Sequence, residues 1–255
     1  MAIRPVDLSV TNITATSVRL NWMRWTPLQL FLAGEQGAIY IPMPIVNGVQ
    51  ALFQDAAGTV PVTADGDPVG RMLDQSGNGN HAIQTVSANR LIYRTDGTLH
   101  WLEHGGVNTF LLTPDRITSA NTIFYSAYQS LKFESAVWGA SEASDTNNRW
   151  LGERGAGSYA QQFGNIQSFG SHSRDVIVRI DSATPPNNSL IINSEDPIVR
   201  TSGNEFDVRA IGSMVLEGGY DYFLEGKIFG LIVVESSQVS QDAKQYLANL
   251  AGVTL

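Results

Sequence analysis

Short apolar segments separated by turn-forming residues constrain this 255-residue chain more than any other feature. The 24 glycines and 10 prolines are scattered, and Asn, Asp, Ser and Thr occupy most of the other gaps between apolar segments. Apolar runs at such spacing are typical of an all-β sandwich or barrel. Strands and helices do not alternate, which argues against a doubly wound nucleotide-binding fold. The predicted strands are Ser17–Trp22, Gly37–Ile41, Leu91–Tyr93, Thr98–Trp101, Thr122–Gln129, Ala136–Ala140, Tyr159–Phe163, Asp175–Ile180, Ser189–Asn193, Asp207–Val215 and Gly226–Val234.

Helical periodicity is strong only near the C-terminus. In Ser237–Ala251, apolar residues recur at helical spacing and form one stripe. Ser240 suits the N-cap, and Gly252 suits the position after the last turn. A second, shorter helix is predicted over Gly48–Gln54.

Composition excludes several classes of protein. The chain has no cysteine, which removes disulfides, thiolate metal sites and cysteine nucleophiles. Its net charge of −8 argues against a broad nucleic-acid surface and against an anionic membrane as partner. No apolar run approaches the roughly 20 residues of a membrane-spanning helix. Residues Met1–Leu8 lack the apolar region of a signal peptide.

The first residues differ in pattern from the rest of the chain. Val6–Trp22 alternates apolar and polar residues around a turn at Ala15–Ser17. It resembles the first two strands of a fibronectin type III domain, which needs about 100 residues when complete. We therefore expect two regions, an N-terminal β extension (residues 1–29) for docking or assembly and a main β domain (residues 30–255).

A polar compound turn lies at Leu73–Ala82. Its glycines supply positive φ angles, and its Asp, Ser and Asn side chains bond to nearby backbone. The stretch is similar to the D-x-S-G-N-G-N-H motif of concanavalin A-like, or laminin-G-like, jelly-roll domains, and Phe223–Val233 resembles their closing strand. The resemblance implies such a sandwich over roughly residues 30–255. Its expected structural turn residues are Asp74, Ser76, Gly77, Asn78, Gly79 and Asn80.

A narrower resemblance extends along three ordered segments, Leu30–Gly37, Ala51–Ala64 and Asp67–Asp74. They look like a module of tailed-phage and prophage structural proteins that precedes a lectin-like domain. This chain differs from the module in Ala38–Ile45. The resemblance implies a virion protein made in the cytoplasm of a bacterial host, associated with other tail proteins and forming a homo-oligomer, with a trimer favoured.

Metal binding has one candidate ligand. Some concanavalin-like domains bind Ca²⁺ through loop carboxylates and carbonyls. Asp74 is the only carboxylate in the turn motif, so a structural turn is the preferred interpretation and a Ca²⁺ site the alternative. His81, His100 and His104 lack the spacing of zinc ligands. We expect no cofactor apart from this possible Ca²⁺.

Catalysis has little direct support in the sequence. Concanavalin-like glucanases carry E-x-D-x-x-E or a close variant on one strand, and this chain has no such run. Glu134, Glu142 and Glu153 are separated by predicted loops. No G-x-S-x-G nucleophile motif is present. We therefore predict no enzymatic activity, with a carboxylate pair assembled from distant strands as the alternative.

Aromatic residues beside polar loops are the candidate glycan-binding groups. Sugar rings stack on exposed aromatic faces, while amides and carboxylates bond to hydroxyls. Trp22 and Trp138 lie in alternating strands and are expected in the core. The candidates are Trp150 with Asp145, Asn147, Asn148 and Arg149, then Trp101, Tyr220 and Tyr222.

The resemblance to phage proteins implies a non-enzymatic tail-fibre or receptor-binding protein of a tailed phage that attaches to a bacterial surface polysaccharide, and the composition agrees with this. Several weak sites would act together through effective concentration. Two alternatives remain open. One is a purely structural virion component, such as a capsid decoration or a tail or baseplate adaptor, and the other is a polysaccharide-cleaving enzyme.

Overall fold

A computed structural model describes residues 25–119, 121–132, 134–140, 149–154, 158–163, 165–169, 174–183, 187–201, 206–216 and 219–255. The predicted strand Ser17–Trp22 and residues 1–24 of the predicted N-terminal extension lie outside the described residues. The boundary between residues 29 and 30 stays a prediction.

The described chain is almost entirely β-structure, with strands in the following order. They are β1 (Gly37–Tyr40), β2 (Ile45–Val46), β3 (Val49–Gln50), β4 (Leu52–Phe53), β5 (Pro68–Val69), β6 (Arg71–Met72), β7 (Ala82–Ile83), β8 (Leu91–Thr95), β9 (His100–Gly105), β10 (Leu111–Ser119), β11 (Thr122–Ser130), β12 (Ser135–Ala140), β13 (Arg149–Arg154), β14 (Ser158–Phe163), β15 (Asn165–Phe169), β16 (Ile177–Ala183), β17 (Asn187–Ile192), β18 (Ile198–Thr201), β19 (Phe206–Ile211), β20 (Met214–Leu216), β21 (Gly219–Asp221) and β22 (Glu225–Glu235). Short 3₁₀ helices cover Pro27–Phe31 and Ser87–Asn89, and the α-helix α1 covers Gln241–Ala251.

Two nine-stranded sheets form the sandwich. The first sheet has the order β18-β17-β16-β11-β22-β9-β8-β5, and β1 also pairs with β22. The second sheet has the order β15-β14-β13-β12-β19-β10-β7-β6-β4. Two short hairpins, β2-β3 and β20-β21, lie outside these sheets. The predicted all-β jelly-roll sandwich with a C-terminal helix is confirmed.

The core lies between the sheets and is centred on Trp138. Its ring packs edge-on against Phe124 at 5.8 Å between centroids and lies 6.4 Å from Tyr40. Its indole Nε1 donates to Ser126 Oγ of the first sheet at 2.7 Å. Trp138 therefore joins the two sheets through both apolar packing and a hydrogen bond, in the core position expected from its alternating strand.

Helix α1 covers the outer face of the first sheet. Its buried Ala243, Leu247, Ala248 and Ala251 join a cluster that includes Ile232 and other residues of that face. Ser240 caps the helix by accepting from Ala243 N at 3.2 Å, and Gly252 ends it with φ of 68°. Among the described residues, no helix is both long and apolar enough to cross a membrane.

Two local predictions are wrong. Gly48–Gln54 is not a helix, because its residues belong to the short strands β3 and β4, and the latter pairs with β6. Asp207–Val215 is not one strand, because the chain leaves the second sheet at Gly212, where φ is 81°. In both stretches sheet pairing overrides the local pattern.

The polar turn anchors the central strand β1. Asp74 Oδ1 accepts from Ile39 N at 2.9 Å and Ser76 N at 2.8 Å, while Oδ2 accepts from Ser76 Oγ at 2.8 Å and Asn80 N at 3.0 Å. Asn80 and Asn78 donate their side-chain amides to Gly37 O. Gly77 and Gly79 adopt φ of 94° and 79°. Both carboxylate oxygens are therefore engaged by protein donors, and the turn fastens one end of β1.

Replacing the Asp74 carboxylate should destabilise the sandwich strongly. Asp74→Ala leaves four buried or half-buried donors without their charged acceptor, and hydrogen bonds to charged groups contribute about 1.5–3 kcal/mol each. We expect the free energy of unfolding in urea to fall by about 3 kcal/mol or more. Asp96→Asn is the control, because Asp96 accepts from two backbone groups, Thr98 N and Leu99 N, in an exposed turn. An equal loss in both variants would contradict a special role for Asp74.

Candidate functional site

Backbone strain is concentrated at the start of β12. Five described non-glycine residues have positive φ, and three of them are asparagines, which tolerate this region. The other two are Glu134 with φ of 56° and Tyr222 with φ of 53°. Residues held in such conformations cluster at active sites and ligand clamps. The pair therefore marks a candidate functional site.

Backbone hydrogen bonds bring together the segments to which these two residues belong. Ala136 N donates to Tyr222 O at 2.7 Å, and Gly212 N donates to Val137 O at 2.8 Å. Leu224 N donates to Gly212 O at 2.9 Å. These bonds hold the segment that follows the β20-β21 hairpin beside the first residues of β12.

Three carboxylate residues belong to the backbone segments that adjoin at this position. Glu134 immediately precedes β12, and Ser135 is the register partner of Glu153 in β13. Asp221 precedes Tyr222, and its Oδ1 accepts from Tyr222 N at 2.8 Å. Glu134 and Asp221 are exposed, whereas the side chain of Glu153 lies outside the described part of the structure. We call Glu134, Glu153 and Asp221 the carboxylate site.

A β-bulge between β12 and β13 lies next to the carboxylate site. The register between β12 and β13 shifts between Ala136 and Trp138, and Gly152 is opposite Ala136. A Cβ atom on Gly152 would lie 2.0 Å from Ser135 O, so only glycine allows the two strands to approach here. Bulges bend a strand locally and re-aim its side chains, and they are common beside active sites.

The predicted glycan-binding residues fall into two separate places. Arg149 and Trp150 lie in β13 and not in a polar loop, and Trp150 is in register with Gly139. Tyr220 lies in β21 and Tyr222 follows it. These residues belong to segments that flank β12, although the side chains of Arg149, Trp150 and Tyr220 are not described. Asp145, Asn147 and Asn148 lie outside the described residues.

Trp101 lies elsewhere, in β9 of the first sheet. Its ring is 6.0 Å from that of Phe229, and Lys227 Nζ is 4.7 Å from its centroid. It packs with the outer cluster beneath α1. Trp101 is therefore engaged by neighbouring side chains and does not belong to the carboxylate site.

A cavity of about 260 Å³ lies beside helix α1. Trp25 and Tyr246 line it, with ring centroids 6.0 Å apart in an edge-on arrangement. Leu28, Ile39 and Leu250 supply apolar lining. The cavity is on the outer side of the first sheet and contains none of the three site carboxylates.

The histidines do not form a metal centre in the described part of the chain, where no group of three His, Asp or Glu residues has suitable geometry. His104 is instead a buried core residue, with only 2% of its surface exposed. Desolvation lowers its pKa to about 3, against a small opposing effect from the Thr109 backbone. His81 and His100 also have lowered pKa values, chiefly because of burial.

Comparisons with known proteins identify the fold. No protein-family model and no curated protein matches the sequence. An arabinofuranosidase complexed with arabinofuranosyl-α-1,2-xylobiose matches the structure with a TM-score of 0.58 and 11% identity, over 89% of this chain and 65% of that chain. A variant GH54 α-L-arabinofuranosidase soaked with 4-nitrophenyl α-L-arabinofuranoside matches over the same shares, with a TM-score of 0.60 and 14% identity. A GH54 α-L-arabinofuranosidase soaked with a cyclic sulfate inhibitor matches with a TM-score of 0.59 and 12% identity, again over 89% of this chain and 65% of that chain.

These matches establish a shared fold and correct the predicted function. This chain spans 65% of the length of the arabinofuranosidase chains. Because the matched structures are carbohydrate-cleaving enzymes and not tail-fibre proteins, the prediction of a non-enzymatic virion adhesin is wrong. The polysaccharide-cleaving alternative agrees better with them. The resemblance to the phage module, the tail-protein partners, the trimeric state and the possible Ca²⁺ stay predictions.

The absence of an E-x-D-x-x-E run argues only against carboxylates on a single strand, and a pair from distant strands was the alternative. Strand pairing and backbone hydrogen bonds place the segments that contain Glu134, Glu153 and Asp221 next to one another, so the missing E-x-D-x-x-E run does not exclude carboxylates from separate segments. Asp221 was missed as a carboxylate candidate, although it lies between the two tyrosines that were proposed for glycan binding.

Gly152→Ala should disturb the close approach of β12 and β13 at the bulge. The added methyl group collides with the Ser135 carbonyl, so β13 must shift, and overpacking of this kind costs about 1–3 kcal/mol. Gly105→Ala in β9 is the matched control, because its Cβ would meet nothing within 4 Å. Urea denaturation of both variants measures the difference. A Gly152→Ala protein as stable as the control would contradict the described approach of β12 and β13.

Acid should destabilise the folded chain through His104. An unfolded histidine has a pKa near 6.5, whereas burial lowers that of His104 to about 3. The unfolded state therefore binds more protons between these pH values. The free energy of unfolding should fall as pH decreases from about 6.5 to about 3, by up to about 1.4 kcal/mol per pH unit.

His104→Asn removes this titration and serves as the comparison. Denaturation curves at pH 7.5 and pH 5 should show a smaller acid-induced loss of stability in the variant than in the unsubstituted chain. Equal losses in the two proteins would show that His104 is not the group responsible.

Proposed function

We propose that this chain is a glycoside hydrolase domain that removes pentofuranosyl groups, of the arabinofuranosyl type, from a polysaccharide. The observation that carries the proposal is the approach, at the start of β12, of the backbone segments that contain Glu134, Glu153 and Asp221, where Glu134 and Tyr222 adopt left-handed backbone conformations. The fold shared with arabinofuranosidases supports the same assignment.

Glycosidic bond cleavage needs two of these three carboxylates. One carboxyl group protonates the leaving oxygen, and the other acts either as nucleophile or as the base that activates water. In retaining enzymes the two groups are about 5–5.5 Å apart, and in inverting enzymes about 6.5–9.5 Å apart. Glu134 and Asp221 are exposed and so accessible to a polymeric substrate.

Aromatic residues beside the carboxylates suit the binding of sugars. Tyr222 is half-buried beside Asp221, while Tyr220 and Trp150 lie in the segments that flank β12. An aromatic face provides apolar contact for one face of a sugar ring, and neighbouring polar groups bond to its hydroxyls.

Hydrolysis of 4-nitrophenyl α-L-arabinofuranoside tests the proposal directly. The purified chain should release nitrophenol, and at least two of Glu134→Gln, Glu153→Gln and Asp221→Asn should lower kcat by about 100- to 10,000-fold. Each variant should retain its unfolding transition, because these changes preserve side-chain size. Glu195→Gln, an exposed carboxylate in the turn after β17, should leave kcat unchanged.

Two results would contradict the proposal. One is a folded chain that hydrolyses neither this compound nor a panel of other 4-nitrophenyl pentosides and hexosides. The other is hydrolysis that survives in all three carboxylate variants as well as in the control.

A further inference from the structure

A fully buried ion pair lies between the sheets. The side chains of Arg179 and Asp181 in β16 are 1% and 0% exposed. Arg179 Nε donates to Asp181 Oδ2 at 2.7 Å, and its Nη2 donates to Asp181 Oδ1 at 2.8 Å. The contact is therefore bidentate, which fixes the plane of the guanidinium.

The same guanidinium reaches across the sandwich to the second sheet. Arg179 Nη1 donates to the Gly152 carbonyl at 2.6 Å and lies 3.5 Å from Tyr128 Oη. Gly152 is the residue at the β12-β13 bulge, and Glu153 follows it directly. Arg179 therefore links Asp181 of the first sheet to the Gly152 backbone next to the carboxylate site.

Stability alone does not account for charges in this position. Moving two ions from water into a protein interior carries a large desolvation penalty, and replacing a buried pair with apolar residues is often neutral or stabilising. The rest of this interior is lined by residues such as Ile177 and Leu190, which would pack well against an apolar replacement. A short apolar side chain, however, would leave the Gly152 carbonyl without this charged donor.

We propose that Arg179 is a positioning residue for the carboxylate site. Held by Asp181, it fixes the Gly152 carbonyl and so sets the place of Glu153 at the bulge. The inference rests on the proposed function for its catalytic meaning. Its structural part, the control of β13 by Arg179, is testable without any substrate.

Two variants test this role. Arg179→Lys keeps one positive charge but has no planar fork to bond Asp181 and Gly152 together. Arg179→Met combined with Asp181→Leu removes both charges and so avoids an uncompensated buried ion. Asp74→Asn is the control for a general loss of stability, because Asp74 belongs to the turn that fastens β1.

Hydrogen exchange and kinetics give separate readouts. In the double variant we expect cooperative unfolding to be retained and the amides of Leu151–Arg154 to exchange at least tenfold faster than in the unsubstituted chain. With 4-nitrophenyl α-L-arabinofuranoside, kcat should fall about 10- to 100-fold while KM stays unchanged, because a displaced catalytic group lowers turnover more than binding. Asp74→Asn should change stability without this separation of kcat from KM.

The outcomes distinguish this inference from the proposed function. A double variant with unchanged exchange in Leu151–Arg154, or with altered exchange and unchanged kcat, would overturn the positioning role. An inactive unsubstituted chain would remove the proposed function instead. Hydrogen exchange would still test the control of β13 by Arg179 in that case. Faster exchange of the Leu151–Arg154 amides in the double variant would support this control, and unchanged exchange would refute it.

Discussion

The hydrogen bond from Arg179 to the Gly152 carbonyl joins the two sheets at the β12-β13 bulge, next to the carboxylate site. In a sandwich of two large sheets, most of the interior is apolar, and apolar burial is non-directional, so it sets the relative position of the sheets less strictly than hydrogen bonds do. Directional contacts limit this freedom. Trp138 bonds to Ser126 across the interior, and Arg179 bonds to Gly152 nearby, since Ser126 and Arg179 are register partners. Both contacts fasten the first sheet to the segment of the second sheet that carries the bulge.

The carboxylate site lies next to these two contacts between the sheets. A bulge bends its strand and disrupts the regular ladder, so the backbone there needs other contacts to keep one conformation. Gly152 permits the close approach of β12, and Arg179 bonds to its carbonyl. The left-handed conformations of Glu134 and Tyr222 also persist only if surrounding structure holds them, as the bond from Ala136 N to Tyr222 O does. Rigid support of this kind would hold a catalytic group in one orientation, as the proposed function needs.

Local chemistry made part of this structure predictable. The C-terminal helix follows from its apolar stripe and from the capping residues Ser240 and Gly252. Alternating apolar residues indicated Trp138 as a core residue. The turn around Asp74 carries its own donors and acceptors, so its conformation depends little on distant residues. These features are encoded within about ten to fifteen neighbouring residues.

The remaining features depend on pairing between distant segments. Arg149 and Trp150 looked like the end of a polar loop, yet they begin β13 because β12 and β14 pair with it. The segments that contain Glu134, Glu153 and Asp221 adjoin only through the order of the strands, which no single stretch specifies. A weak signal for the buried pair existed, since Arg179 and Asp181 are two residues apart in an otherwise apolar strand and therefore share one face. The sequence does not indicate that this face points into the sandwich.

The most direct measurement is a crystal structure of the Glu153→Gln chain soaked with arabinofuranosyl-α-1,2-xylobiose. We predict a sugar at the start of β12, with its anomeric carbon about 3–3.5 Å from a carboxylate oxygen of Glu134 or Asp221 or from the amide that replaces Glu153. Sugar bound only in the cavity beside Trp25 or against Trp101, with the carboxylate site empty, would contradict it.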